Sequence, residues 1–149
     1  MILRHLCLAA LALAAPAAAK APAMHVTGFA QAGLANAAAY VTVHNGGPAA
    51  DRLVGVTTPA AQSASIHNSV LAGGITRMRP AGAQPISAGG QIAMRPGGLH
   101  VMLMGLKAPL RPGTRLPLTL RFARAGSVQV SLPVLAPGAS PAGQGHHGH

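Results

Sequence analysis

The feature that most restricts the fold of this chain is a series of short apolar runs separated by glycine and proline. Eight runs are rich in β-branched residues or alternate between apolar and polar side chains, a pattern typical of β-strands. They cover residues 40–43, 53–58, 65–70, 75–79, 91–94, 99–104, 116–122 and 128–134. Turn signals such as Gly46-Gly47-Pro48 and Pro96-Gly97-Gly98 stand between them. The pattern predicts an all-β domain, built as an antiparallel β-sandwich or a small barrel.

The first 21 residues have the pattern of a secretory signal peptide. A short positive start with Arg4 precedes an apolar run over 6–15, and small residues follow. Because this run is too short to span a bilayer, we predict a signal over 1–21, cut after Ala19, Ala21 or Ala23. Export to the periplasm follows from that prediction, and a retained N-terminal anchor is the alternative.

The two ends of the remaining chain differ from its middle. Residues 20–37 are rich in Ala and Gly and support no clear assignment. Residues 136–149 are mostly Pro, Gly, Ala and Ser, so we predict a disordered tail after a single domain over 22–135. The tail ends with His146, His147 and His149. These imidazoles could bind Cu(II), Ni or Zn weakly, and a merely polar tail is the alternative.

Cysteine and acidic residues are nearly absent. The single cysteine, Cys7, lies within the predicted signal, and the apolar run follows it, so a lipid-anchored cysteine is not predicted. The exported domain would then have neither a disulfide nor a thiolate ligand. Asp51 is the only acid, whereas paired carboxylates, histidine triads and Ca²⁺ or Mg²⁺ sites need several. Hydrolytic chemistry is therefore not predicted.

The positive charge restricts the partners. Eleven Lys and Arg residues oppose the one acid, and they are dispersed rather than clustered. Only three residues are aromatic, which is too few for a surface that stacks nucleic-acid bases. We expect an acidic protein or an anionic membrane as partner, and no nucleic acid.

Two histidines and two methionines have the spacing of a shared site: His67, Met78, His100 and Met102. His100 and Met102 are two apart in an alternating run, so both project from one face of a strand. His67 and Met78 flank the turn signal Ala72-Gly73-Gly74. A two-residue turn at Ala72-Gly73 would place His67 directly opposite Met78, with Cβ atoms roughly 5 Å apart. A slip of one residue would make the pair diagonal or put it on opposite faces.

The chemistry of these four side chains favours monovalent copper. Thioether sulfur is a good ligand for Cu(I) and a poor one for Zn, Mg or Ca, and neutral ligands suit a monovalent ion. Cu(II) prefers nitrogen and oxygen, which the histidine tail offers. A methionine in a strand is also a common core residue, and a lone histidine is often a surface group. From the residues alone, a Cu(I) site and this structural interpretation both stand.

The spacing His67-x10-Met78-x21-His100-x-Met102 resembles the signature of the periplasmic copper chaperone family called PCuAC. The surrounding segments are similar too, namely 38–45, 51–53, 78–80, 96–106 and 117–120. The resemblance runs over residues 38–134. It implies a cupredoxin-like antiparallel β-sandwich that binds Cu(I) near its surface through these four residues.

The same resemblance implies a metallochaperone rather than an enzyme. Such a protein would carry copper for the dinuclear centre of cytochrome c oxidase, with oxidase subunit II or a Sco-type thiol protein as acceptor. We predict a monomer that captures Cu(I) and passes it on by ligand exchange. The alternatives are copper storage or detoxification, with the main site and the tail both used, and a metal-free structural sandwich.

The remaining methionines receive other assignments. Met104 shares the alternation of His100 and Met102 but is predicted to lie in the core. Met94 is predicted to be exposed or in the core rather than a ligand. Met24 and His25 are candidates for additional copper binding near the new N-terminus.

Overall fold

The computed structural model describes residues 23–141, and these form ten β-strands and no helix. The strands are β1 (Met24–Gln31), β2 (Asn36–Asn45), β3 (Asp51–Thr57), β4 (Ala61–Ala72), β5 (Ile75–Pro80), β6 (Gln84–Ile86), β7 (Gln91–Ala93), β8 (Leu99–Leu106), β9 (Arg115–Phe122) and β10 (Gly126–Leu135). None of these residues forms a helix that could cross a bilayer. The signal predicted over 1–21 and the three tail histidines lie outside the described residues.

The strands follow one another in the order β5-β4-β8-β2-β1-β10-β9-β3-β6, and β7 pairs with β2 beside the end of β8. All neighbours are antiparallel except β1 and β10, which are joined in parallel at Ala30–Val134 and Gln31–Leu135. This contact links a half built on β2 to a half built on β9. The predicted all-β sandwich is confirmed, with one parallel pair in it.

Alternation of apolar side chains buries one face of each half. The buried residues of the two central strands are Ala37, Ala39, Val41 and Val43 in β2, and Leu116, Leu118, Leu120 and Phe122 in β9. They belong to one hydrophobic cluster, filled by aliphatic side chains because the chain has so few aromatics. The opposite face of the β2 half is therefore directed outward.

The eight predicted strands are all present, and two further strands were not predicted. β1 lies in the segment that supported no assignment, and its centre contains Gly28. A Cβ at Gly28 would stand 2.2 Å from the carbonyl oxygen of Tyr40, so only glycine allows β1 and β2 to approach this closely. β6 has three residues around Pro85, which is too short for a periodic pattern.

The single acid of the chain has a structural role. Asp51 is buried, and its Oδ1 accepts hydrogen bonds from the backbone N–H groups of Arg52 and Arg124, while its Oδ2 accepts one from Ala125. Burial by itself would raise the pKa of Asp51, but these three N–H groups and the charge of Arg124 together lower it below its ordinary value. The carboxylate thereby holds the turn between β9 and β10 against the start of β3.

Candidate metal centre

The structure brings the four predicted residues onto one face of the strands β5, β4 and β8. His67 lies directly opposite His100, and Met102 follows two residues later on the same side of β8. Met78 lies opposite Ser69, which is two residues from His67 on β4. Because side chains alternate along a strand, all four project from the same face.

The predicted register of the β4–β5 hairpin was wrong by one residue on each strand. His67 pairs with Pro80 and Ser69 pairs with Met78, so His67 and Met78 are diagonal neighbours. The turn residues are Gly73 and Gly74, with φ of 59° and 78°. A turn of this kind needs positive φ at both central residues, which Gly-Gly adopts freely and Ala72 would not. Relative to β4, Met78 is shifted by two residues, from His67 to Ser69, and it therefore stays on the same face.

The two imidazoles face each other. Their ring centroids are 6.2 Å apart, with an angle of 53° between the planes. The Nδ1 of His100 lies 2.9 Å from the carbonyl oxygen of Gly98, and the Nε2 of His67 lies 3.0 Å from the hydroxyl oxygen of Ser65. One nitrogen of each ring is thus held by the protein itself.

The other nitrogen of each ring is unpartnered. Within residues 23–141, the Nδ1 of His67 and the Nε2 of His100 are the only buried side-chain nitrogen or oxygen atoms without a hydrogen-bond partner. An unsatisfied buried polar atom costs roughly 1–3 kcal/mol, so such atoms need an explanation. For His100 the tautomer follows from geometry: Nδ1–H donates to a carbonyl, and Nε2 keeps a free lone pair. Such a lone pair is what a metal ion accepts.

Exposure changes steeply across the site. His100 is 3% exposed, whereas 58% of Met78 is exposed, on the edge strand β5. His67 and Met102 are half-buried. The site therefore has a closed end at β8 and an open end at the hairpin.

The surroundings of the site contain no formal negative charge. The ring of Tyr40 is 6.3 Å from that of His100, and Phe29 packs on Tyr40 at 5.2 Å. Burial raises the pKa of the Tyr40 phenol, so it stays neutral. Asp51 is committed to the turn between β9 and β10. Nowhere in the described part of the chain do three or more His, Cys, Asp or Glu gather to hold an ion.

The other predicted assignments have mixed outcomes. Met94 is in the core, which is one of the two positions predicted for it, but Met104 is 44% exposed on the outer face, so its predicted core position was wrong. It lies two residues beyond Met102 on the same face of β8, opposite Ser63, which is also exposed. Met24 is buried and His25 is exposed, because they project from opposite faces of β1. They therefore do not form a joint site.

Sequence reasoning missed the groups that orient the imidazoles. Ser65 and Gly98 each lie two residues before a histidine, and both hold that histidine's ring. The Ser-x-His spacing in a strand was a usable signal, since residues i and i+2 share a face. The carbonyl of Gly98 had no such signal, because its contact depends on the turn that precedes β8.

Solved structures with this architecture are PCuAC domains. The chain is similar to the copper-bound PCuAC domain from PmoF2, with 26% identity and a TM-score of 0.65 over 77% of this chain and 94% of that one. It is also similar to apo-DR1885 from Deinococcus radiodurans, with 30% identity and a TM-score of 0.57 over 91% and 97% of the two chains. The Cu(I) form of DR1885 matches with 30% identity and a TM-score of 0.62 over 79% and 81%. The described domain thus has the PCuAC fold.

The family follows from a match over residues 12–134, and the chain belongs to the family described as "Putative lipoprotein LpqE-like". That description concerns lipoproteins, while Cys7 lies before the matched residues and outside the described ones. No curated protein matches the chain.

Proposed function

We propose that this protein binds one Cu(I) ion through His67, Met78, His100 and Met102 and delivers it to an acceptor protein. The observation that carries the proposal is the pair of facing imidazoles, each with one buried nitrogen that has no partner. Two thioethers lie on the same face, within one or two cross-strand steps. An ion at this position would satisfy both orphaned nitrogens.

The donor set selects the ion. Two neutral nitrogens and two thioethers suit a soft monovalent ion, because thioether sulfur is a good ligand for Cu(I) and a poor one for harder divalent ions. The similarity to a copper-bound PCuAC domain and to Cu(I)-DR1885 supports the same choice. The contacts from Ser65 and Gly98 orient the two rings in the manner of outer-shell partners in metal sites.

The exposure gradient supports a carrier function. Met78 lies at the open edge and is the ligand that an incoming acceptor would reach first. His100 is enclosed and would be released last. Ligand exchange from the edge strand toward β8 therefore gives a path for handover without free copper in solution.

We further propose a periplasmic location and a monomer, with the dinuclear copper centre of cytochrome c oxidase as the destination. Subunit II or a Sco-type protein would be the acceptor, and the net charge of +10 favours acidic surfaces or an anionic membrane. Gene deletion tests the destination. Loss of oxidase activity at low copper agrees with delivery, whereas copper sensitivity with normal oxidase would point to storage or detoxification.

The first experiment is an anaerobic Cu(I) titration against a competing chelator, with Met78→Leu and Met102→Leu as variants. Leucine keeps the volume and removes the sulfur, so each variant should keep its apo stability within about 1.5 kcal/mol. Each should lose more than about tenfold in Cu(I) affinity, since even the loss of an outer-shell partner typically costs about 10–100-fold. With free Cu(I) at 100 times the dissociation constant, the free energy of unfolding of the unmodified protein should rise by roughly 2.7 kcal/mol.

Met94→Leu is the matched control, because Met94 is a methionine buried in the core and is not one of the four proposed ligands. It should change neither the affinity nor the copper-linked rise in melting temperature. Unchanged affinity in both Met78→Leu and Met102→Leu would refute the four-ligand site.

A further inference from the structure

A second pair of facing histidines lies on the same face of the same half of the sandwich. His25 of β1 is directly opposite His44 of β2, and their ring centroids are 6.3 Å apart. This separation nearly equals the 6.2 Å between His67 and His100. Both are cross-strand pairs in antiparallel ladders, where opposite Cβ atoms stand about 4.5–5.5 Å apart.

The two histidine pairs lie too far apart to hold one ion together. Tyr40 contacts His100, and His44 lies four residues beyond Tyr40 on β2, about 13 Å farther along the strand. The cross-strand pairs Thr27–Thr42 and Phe29–Tyr40 follow on this face of the β1–β2 ladder and lie between the two histidine pairs. One ion therefore cannot bridge both pairs.

The surroundings of the second pair offer different metal-ligand atoms from those of the first pair. Both histidines are exposed, and the neighbouring Met24 is directed into the core. On the other side of His44, Gln91 of β7 continues the row. The donors available are thus two imidazoles, an amide and water, without sulfur. Such a set suits borderline divalent ions, with Cu²⁺ bound more tightly than Zn²⁺.

The rings have the freedom to share an ion. Among the described residues, none of the side-chain hydrogen bonds involves either ring. Gly46 lies beside His25, and its lack of a side chain leaves the space around the Nε2 of that ring open. Exposed side chains change rotamer within nanoseconds, so each ring can turn one nitrogen toward an ion with bonds of about 2.0–2.1 Å.

We propose that His25 and His44 form a second metal site that takes a divalent ion, Cu²⁺ before Zn²⁺. The site is independent of the proposed Cu(I) site. It would let the protein hold copper in either oxidation state at two positions on one face.

The test uses the chain without its predicted signal and with the tail intact except for His146→Ala, His147→Ala and His149→Ala. These three histidines are replaced because the tail imidazoles are competing ligands. Cu²⁺ is titrated under air, and pulsed electron paramagnetic resonance counts the coordinated imidazoles. One Cu²⁺ with two imidazoles is expected, and Zn²⁺ should compete only weakly. His25→Gln and His44→Gln should each reduce Cu²⁺ affinity by more than about tenfold, and the double variant little further.

His100→Ala separates the two sites, since it should abolish Cu(I) binding and leave this Cu²⁺ signal unchanged. A signal that persists in both glutamine variants would overturn the second site, and so would one that disappears in His100→Ala. Both glutamine substitutions are at exposed positions, and an unchanged melting temperature without metal shows that the fold is intact.

Discussion

His100 is the most enclosed member of the candidate copper site, and its orientation is set by the Gly98 carbonyl. His67 is more accessible and depends on the Ser65 hydroxyl instead. For Nδ1 of His67 to bind a metal, Nε2–H must donate to that hydroxyl, which selects one of two tautomers. Ser65 is therefore a positioning residue for His67.

Replacement of Ser65 by alanine should lower Cu(I) affinity by about 10–100-fold, the usual effect of losing an outer-shell partner. The loss should come with little change in apo stability. Ser63→Ala is the matched control, because Ser63 lies on the same face one step farther along β4, opposite Met104. Competition titrations of both variants provide the measurement, and equal affinities would show that the Ser65 contact is incidental.

At the scale of elements, the β4–β5 hairpin determines where the exposed thioether stands. β5 is exposed along its whole length and is held only by its pairing with β4. Its register depends on the turn at Gly73-Gly74, since packing against the core contributes nothing to it. A change in the turn would therefore alter the candidate copper site through Met78.

Gly73→Val should destabilise the hairpin, because a β-branched residue at φ of 59° costs roughly 1–3 kcal/mol. The Cu(I) affinity should fall toward that of Met78→Leu, since the misaligned strand no longer presents its sulfur. Gly73→Asn is the control, because Asn-Gly is a favoured sequence for this turn and should retain the affinity. If the valine variant binds Cu(I) like the unmodified protein, the hairpin register is not what positions Met78.

In the whole molecule, the metal-binding candidates among residues 23–141 all lie on the outer face of one half of the sandwich, whereas the single acid is bound to a turn of the other half. Asp51 joins the start of β3 to the turn between β9 and β10. The metal-binding face therefore stays free of carboxylates, while one carboxylate serves the fold. The strand order thus separates the carboxylate that stabilises the fold from the candidate metal ligands.

Asp51→Asn should reduce the free energy of unfolding by roughly 1–3 kcal/mol, because charge-assisted bonds to three N–H groups are weakened. Since the pKa of Asp51 is lowered on folding, this stabilisation is present above the unfolded value of 3.8 and is lost as pH falls through the folded value. Denaturant titrations should show a constant difference near neutral pH that narrows below pH 3.8. A difference independent of pH would show that the charge of Asp51 is irrelevant to stability.

Local patterns were sufficient for the class of fold. Eight of the strands and the shared face of His100 and Met102 follow from alternation and turn residues, because these depend on neighbours two or three positions apart. Spacing and ligand chemistry suggested the four candidate ligands, the resemblance to the PCuAC family selected them, and their role stays a prediction. β1 could not be predicted from the local sequence. Glycine at position 28, in the middle of this strand, is explained only by its close approach to the backbone of Tyr40 on β2.

The order and pairing of the strands could be learned only from the three-dimensional fold. It placed β4 beside β8, so that His67 faces His100 across 33 residues of sequence, and β1 beside β2, so that His25 faces His44. It also fixed the hairpin register, left Met104 exposed and left one nitrogen of each buried imidazole without a partner. Which residues alternate, and which chemistry they carry, can be read from the local sequence. Strand order and burial come from long-range packing, which local spacing does not encode.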